Sequence, residues 1–223
     1  MINKLIPVAF KSKLYQYFTK KFDLVPRAHF EKMPIPSIEE KHISNLKALT
    51  NRETLIDALP KNGVIAEIGV DKGDYSQTIL DITKPSKLHL IDVWKSERYP
   101  EKLYHKVMDR FLAEQKDGLI EINRGYSTDI VEEFSDEYFD WIYIDTAHSY
   151  EVTKAELEAY RQKVKKGGII AGHDFIIGEL EVPWKYGVIE AVYEFCNKYD
   201  WEIIYLTMER NIPPSFAIRA INL

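Results

Sequence analysis

The chain has one cysteine in 223 residues, Cys196, so no internal disulfide braces it and its fold must rest on buried apolar surface. That usage fits a reducing cytoplasm. No apolar run approaches the roughly 20 residues that cross a bilayer, and Met1 to Phe10 lacks the core of a signal peptide, so neither a membrane span nor export is expected. Cationic charge is also short. Thirty Lys and Arg face 35 Asp and Glu, and the net charge of −5 argues against general nucleic-acid binding. Internal repeats and low-complexity tracts are missing. So is the G-x-G-x-x-G turn that seats a dinucleotide pyrophosphate.

What is present is ordinary for a globule with one core: 45% apolar residues and 29% charged ones. Charge is unevenly placed. The first 33 residues hold seven Lys/Arg against two acids, and Leu14, Phe18 and Phe22 recur there at helical spacing. That stripe suits a helix packed on its own domain or on a second subunit, with a membrane-surface helix as the rival. Pro34 and Pro36 break it, and Thr50-Asn51-Arg52-Glu53 has the capping-box spacing that opens a helix through Leu59. Residues 1–60 are therefore expected to form an N-terminal helical extension. From Gly63 the pattern alternates strand, turn and helix, with strands near 64–69, 87–92, 119–123, 140–145 and 168–173. A helix is expected to end in the basic run Lys163-Val-Lys-Lys before Gly167-Gly168. Two last apolar runs, Trp201–Leu206 and Ser215–Ile221, flank Asn211-Ile-Pro-Pro214 and read as a closing hairpin. The implied fold is one α/β domain over residues 61–223.

The most informative stretch is Val64-Ile-Ala-Glu67-Ile-Gly69-Val-Asp-Lys-Gly73-Asp-Tyr-Ser76, a strand that runs through a glycine turn into a helix start. Glycines let the backbone approach a ligand there, and the helix start presents N–H groups. An acid at Glu67 repels a diphosphate but suits a cation, such as the aminopropyl group or sulfonium of S-adenosylmethionine. Asp92, 25 residues on at the end of the second strand, is placed to accept ribose hydroxyls. Glu67, Gly69, Gly73, Ser76 and Asp92 are thus the expected cofactor contacts.

Asp145 ends the fourth strand, His148 follows it by three residues, and Asp174 ends the fifth strand after His173. Ligands in doubly wound sheets bind outside the carboxyl ends of the strands, so both aspartates should face the crevice of Glu67. Two converging carboxylates repel unless a cation lies between them, and Mg²⁺ is the ordinary solution.

Gly125-Tyr-Ser127-Thr-Asp129, Asp145-x-x-His148-Ser-Tyr150-Glu151, Gly167-Gly168 and His173-Asp174-Phe175 together resemble the metal-dependent small-molecule O-methyltransferases. That group includes the catechol, macrolide-sugar and cephalosporin-pathway enzymes, and the resemblance covers residues 60–223. It implies a Rossmann-like class I methyltransferase sheet, parallel with one antiparallel strand near its edge. It further implies that Ser127 lies by the adenine, that Asp145 and Asp174 hold the metal, and that His148 stands where the group has its base. Phe175 replaces a ligating asparagine of the catechol enzymes, leaving His173 or water as third ligand. Imidazole there shifts the preference from Mg²⁺ toward Mn²⁺, Fe²⁺ or Zn²⁺.

The expected activity is O-methylation of a small-molecule hydroxyl, such as a sugar or glycan precursor, a phenol or a phosphoryl-type oxygen. A non-catalytic S-adenosylmethionine-binding protein would keep Glu67 and Asp92 without needing Asp145, His148 and Asp174. A nicotinamide-dependent oxidoreductase lacks its glycine signature here. Trp94–Arg110 and Phe175–Tyr186 are aromatic-rich segments expected to wall the acceptor.

Overall fold

A computed structural model describes Lys13 and residues 33–95, 99–178 and 185–221. In chain order the elements are β1 (Lys47–Leu49), α1 (Arg52–Ala58), β2 (Val64–Ile68), α2 (Asp74–Thr83), β3 (Lys87–Asp92), α3 (Glu101–Arg110), α4 (Leu112–Lys116) and β4 (Ile120–Arg124). They continue with α5 (Ser127–Ile130), β5 (Phe139–Ile144), α6 (Tyr150–Tyr160), β6 (Val164–Gly172), α7 (Val188–Tyr199), β7 (Trp201–Thr207) and β8 (Phe216–Ala220). The eight strands form one sheet in the order β1-β7-β8-β6-β5-β2-β3-β4. All neighbours are parallel except β8, which runs antiparallel to both β6 and β7. This is the Rossmann-like class I methyltransferase sheet, closed by the expected hairpin.

Alternation along the central strands sends side chains to two cores. On β2, Ile65 packs with Leu55, Ile56 and Ile79 beneath α1 and α2, while Ala66 and Ile68 face Leu157, Val188 and Val192 of α6 and α7. Glu67 therefore lies on the α1/α2 side. Strand order reverses between β2 and β5, and four backbone hydrogen bonds continue the ladder just past the strand ends. They run from Gly125 N to Asp92 O (3.0 Å), Gly69 N to Ile91 O (2.9 Å), Asp145 N to Ile68 O (2.8 Å) and His173 N to Ile144 O (3.0 Å). Every loop that carries a candidate site residue starts from this row.

Three boundaries differ from the sequence reading. Residues 47–49, expected in a helical extension, pair with Tyr205–Thr207 as a parallel edge strand. The cap of α1 is Asn51 rather than Thr50, its side chain accepting the Thr54 N–H at 2.8 Å. The helix expected to end at Lys163–Lys166 stops at Tyr160, and Val164 onward already belongs to β6. The lysines find carboxylates instead of helix carbonyls: Lys163 pairs with Asp136 at 2.9 Å and Lys165 with Asp140 at 2.8 Å. The stripe of Leu14, Phe18 and Phe22, with its subunit and membrane-surface readings, lies outside the described residues. Among the described residues no helix is long and apolar enough to cross a membrane.

The turn after β2 has no spare room. Gly69 has φ +91°, and a Cβ built on it would sit 1.9 Å from the Asp145 carbonyl oxygen. Gly69→Ala combines that clash with a left-handed backbone and should cost more than about 2 kcal/mol of stability in denaturant titration. A loss under about 0.5 kcal/mol would show that the β2–β5 contact yields easily.

Candidate active site

Beyond the row of strand ends lies a cleft of about 650 Å³, lined by Glu67 to Lys72, Asp74, Tyr75, Asp92, Tyr126, Ser127, Asp145 to His148, Glu156, His173, Asp174 and Tyr186. That is within the usual range for a cofactor pocket.

The glycine turn is held from outside by Asp92. One of its carboxylate oxygens accepts the N–H groups of Val70 (2.9 Å) and Asp71 (3.1 Å), and the other accepts that of Trp94 (3.0 Å). A carboxylate has about four acceptor positions, so capacity for one further hydroxyl remains on Oδ1 rather than for a ribose pair. Gly73 caps α2 in the left-handed region, its Cα packed so closely that an added Cβ would meet the Phe111 ring at 2.7 Å.

Glu67 is 1% exposed and accepts a hydrogen bond from the Ser76 hydroxyl. Burial pushes its pKa from 4.5 to about 8; the Ser76 bond and the Arg52 charge pull it down, and Asp145 and Asp92 push it up. Ser76 is itself fully buried, so the contact expected of it with a cofactor is replaced by support of Glu67. Ser127 is likewise turned inward. Its hydroxyl and that of Thr146 (2.7 Å) donate to the two carboxylate oxygens of Glu156. Glu156 is 1% exposed, and burial raises its pKa despite those two bonds.

At the β5 and β6 ends the acids and histidines interlock. His148 Nδ1 lies 2.6 Å from Asp174 Oδ2, and His173 Nδ1 lies 3.2 Å from Asp174 Oδ1 and 3.9 Å from Asp145 Oδ2. Burial opposes ionisation of Asp174, but the hydrogen bonds and charges of both imidazoles outweigh it and hold its pKa well below the usual carboxylate range. His173 is shifted upward: burial works against its charged form, and Asp174 and Asp145 overcome that. Asp145 is raised by burial first and by the Asp174 charge next, with the histidines acting the other way. His148 (φ +57°) and Asp174 (φ +58°) both adopt left-handed backbone, and the His148 ring stacks on Tyr186 with centroids 4.8 Å apart. Non-glycine residues hold that conformation only where their surroundings impose it, a common condition at functional sites.

Asp145, His148 and Asp174 offer ligand atoms that all lie within 4.8 Å of one another, the grouping that fits a metal among the described residues. His148 stands in that group in place of His173, the third ligand suggested by the sequence. His173 instead braces Asp174, and its Nε2 is buried without a hydrogen-bond partner. Two carboxylates and an imidazole make a mixed donor set suited to Mn²⁺, Fe²⁺ or Zn²⁺ as well as Mg²⁺.

Two of the expected acceptor walls resolve differently. Trp94 is fully buried, its indole N–H donating to Asp71 O at 2.8 Å, so it supports the turn. Phe175 packs on Phe216 and Tyr193, while Tyr99, Tyr186 and Pro213 do line the cleft. Residues 179–184 of the second segment lie outside the described residues. Arg52, Tyr75 and Glu156 were missed by the sequence reading. Glu156 carried a signal: with Thr153, Leu157 and Tyr160 it occupies the buried stripe of α6, where an acid is out of place.

Residues 66–175 match the family model for a methyltransferase domain. No curated protein matches the chain. Among solved structures, it resembles the m1A22 tRNA methyltransferase of B. subtilis at 15% identity, covering 77% of this chain and 66% of that one, with a TM-score of 0.55. It resembles a SAM-dependent methyltransferase from Aquifex aeolicus at 15% identity, 81% and 93% coverage and a TM-score of 0.56. The cofactor-bound Rv0187 from MTB aligns at 13% identity, with 84% and 82% coverage and a TM-score of 0.55. At such identities the likeness shows the fold. The chain thus has the class I methyltransferase fold, and with the domain match this supports S-adenosylmethionine-dependent methyl transfer rather than nicotinamide chemistry.

Glu67 makes a prediction for the ligand-free protein. It is protonated in the folded state up to about pH 8 and only to about 4.5 when unfolded, so folding should weaken as pH rises between these values. Relative to Glu67→Gln, wild type should lose up to about 1.4 kcal/mol per pH unit in that window, read from denaturant midpoints. Parallel pH profiles would mean that Glu67 is ionised and paired.

Proposed function

We propose that this protein is an O-methyltransferase that moves the methyl group of S-adenosylmethionine to a hydroxyl of a small molecule, a sugar or glycan precursor fitting best. The observation that carries this reading is the convergence of Asp145, His148 and Asp174 at the same row of strand ends as the glycine turn.

In this reading Glu67, Asp92 and Ser127 mark the course of the cofactor. Glu67 faces its cationic end, and the remaining acceptor position on Asp92 takes a ribose hydroxyl. With Nδ1–H donated to Asp174, the His148 ring presents Nε2 as a proton acceptor, a tautomer assigned from that hydrogen bond. Asp174 orients the ring and fixes its tautomer, the role a carboxylate plays behind a catalytic histidine. His148 then takes the acceptor proton as the oxygen attacks the methyl carbon in line with sulfur. Asp145 and Asp174 would hold a divalent cation, with His148 kept outside its ligands as the base, and the cation would supply polarisation of the acceptor oxygen. An acidic cleft that includes Glu67, Asp71, Asp74, Asp92, Asp145, Glu156 and Asp174 disfavours a polyanionic nucleic acid and suits a neutral acceptor. Tyr99 adds an aromatic ring to its lining, of the kind that sugar rings and phenols stack on.

His148→Ala should leave S-adenosylhomocysteine affinity nearly unchanged and slow single-turnover methyl transfer by about 10²–10⁴-fold. The wild-type rate should rise with pH along a limb that the mutant lacks. A mutant within threefold of wild type would return His148 to a purely structural role.

Chelation should abolish turnover while cofactor binding survives, and Mn²⁺ or Mg²⁺ should restore it. Full activity after verified metal removal would leave the His148–Asp174 pair as the whole proton-handling apparatus.

A further inference from the structure

His148 is gripped on three sides, and two of the grips come from the connection between β6 and α7. At its edge, Nδ1 meets Asp174 Oδ2 at 2.6 Å. Against its face lies Tyr186, with ring centroids 4.8 Å apart and planes 26° from parallel. At its backbone, the Gly187 N–H donates to the His148 carbonyl at 2.8 Å. Two consecutive residues of one connection thus hold the imidazole and the main chain beneath it. Tyr186 is itself 5% exposed, so little of its ring is left for a bound acceptor.

This grip is braced from behind. Tyr186 N donates to Ile177 O at 2.9 Å, Gly178 pairs with Lys185 in an antiparallel bridge, and Lys185 forms an ion pair with Glu190 of α7 at 3.0 Å. Gly187 is pressed on the start of α6, where a Cβ built on it would lie 2.3 Å from Tyr150 N. Its φ of −125° is open to any residue, so close approach rather than backbone conformation requires glycine there. The Tyr150 hydroxyl donates to Glu194 of α7, and Lys154 pairs with the same carboxylate at 2.6 Å. The first turns of α6 and α7 are therefore locked together beside the loop that carries His148.

A hydrogen bond at Nδ1 fixes one edge of an imidazole and leaves the ring free to rock about that bond. A flat ring against its face removes the rocking. The tilt matters because a base has to meet its proton within hydrogen-bond reach, and a misplacement of about 1 Å can cost about 10²-fold.

We propose that Tyr186 is a positioning residue for His148, its stacked ring fixing the tilt that points Nε2 at the acceptor hydroxyl while Gly187 fixes the backbone. This rests on the reading of His148 as the base. Tyr186 acts through that ring and meets neither the acceptor oxygen nor the methyl group.

A double-mutant cycle tests it. Labelled S-adenosylmethionine is offered with a pool of nucleotide sugars and phenols, and the member that wild type methylates is used for every variant. Tyr186→Leu should slow the transfer by about 10- to 100-fold with little change in acceptor KM or in S-adenosylhomocysteine affinity. Tyr186→Phe keeps the stacked face and should stay within about threefold of wild type. In a His148→Ala background the Tyr186→Leu change should cost almost nothing, because the group it acts through is gone. Tyr186→Met repeats the comparison with a different filling side chain, and thermal melts establish which variants are folded. An equal loss with and without His148, a raised KM in place of a slowed step, or unfolding of both the Leu and Met variants makes Tyr186 a packing or acceptor-contact residue and overturns the proposal, while His148 stands as the base. A His148→Ala rate within threefold of wild type, or no methylation of any pool member by wild type, overturns the base reading and the proposal together.

Discussion

The row of backbone hydrogen bonds past the ends of β4, β2, β5 and β6 is the constraint on which the site depends. Because Gly69 N, Gly125 N, Asp145 N and His173 N each bond a neighbouring strand, four loops from distant parts of the sequence begin at one level. The missing Cβ of Gly69 permits the closest of these contacts, against the Asp145 carbonyl. Any side chain there would push β5 from β2 and move Asp145 and His148 away from the turn that carries Glu67. Catalytic groups need placement within fractions of an ångström, which packed strand ends supply better than loops do.

Charge in the cleft is balanced locally. Seven carboxylates line it, and four of them are relieved by different devices. Asp92 is bonded by three backbone N–H groups, Glu156 by two hydroxyls, and Asp174 by two imidazoles. Glu67 takes the remaining route and keeps its proton. The two ends of the cleft therefore differ in character. The Glu67 end becomes acidic when a cation arrives, with Arg52 beside it, whereas the Asp174 end is a hydrogen-bonded relay that reaches His148. A zwitterionic, sulfonium-bearing cofactor and a neutral acceptor hydroxyl suit that division.

The imidazoles also bear on the metal. Converging carboxylates imply a cation, and the structure shows ring nitrogens of His148 and His173 already within hydrogen-bond distance of the two oxygens of Asp174. Asp145 is the less compensated of the two, its pKa raised where that of Asp174 is lowered. A divalent ion would add most at Asp145, and that asymmetry makes chelation informative.

Much of this was legible in the chain because it is local. Strand alternation, the Glu67-x-Gly69-x-x-x-Gly73 turn and acids at strand ends follow from periodicity and turn chemistry over a few residues, and they point to the fold class and to the carboxyl ends of the strands, where the structure brings Asp145, His148 and Asp174 together. Features set by distant partners were not legible. The exposed strand Lys47–Leu49 is defined by β7, 158 residues away in its Lys47–Tyr205 pairing. The lysines after α6 look like a helix end until Asp136 and Asp140 are in reach. Ser76 and Ser127 are expected beside the cofactor, and only packing reveals that their hydroxyls donate to buried glutamates, Ser76 to Glu67 and Ser127 to Glu156. Sequence alone determined which chemistry the strand ends can offer. Tertiary structure decided which groups face the cleft, which neutralise one another, and that Arg52 joins them, because burial and long-range pairing set both orientation and charge.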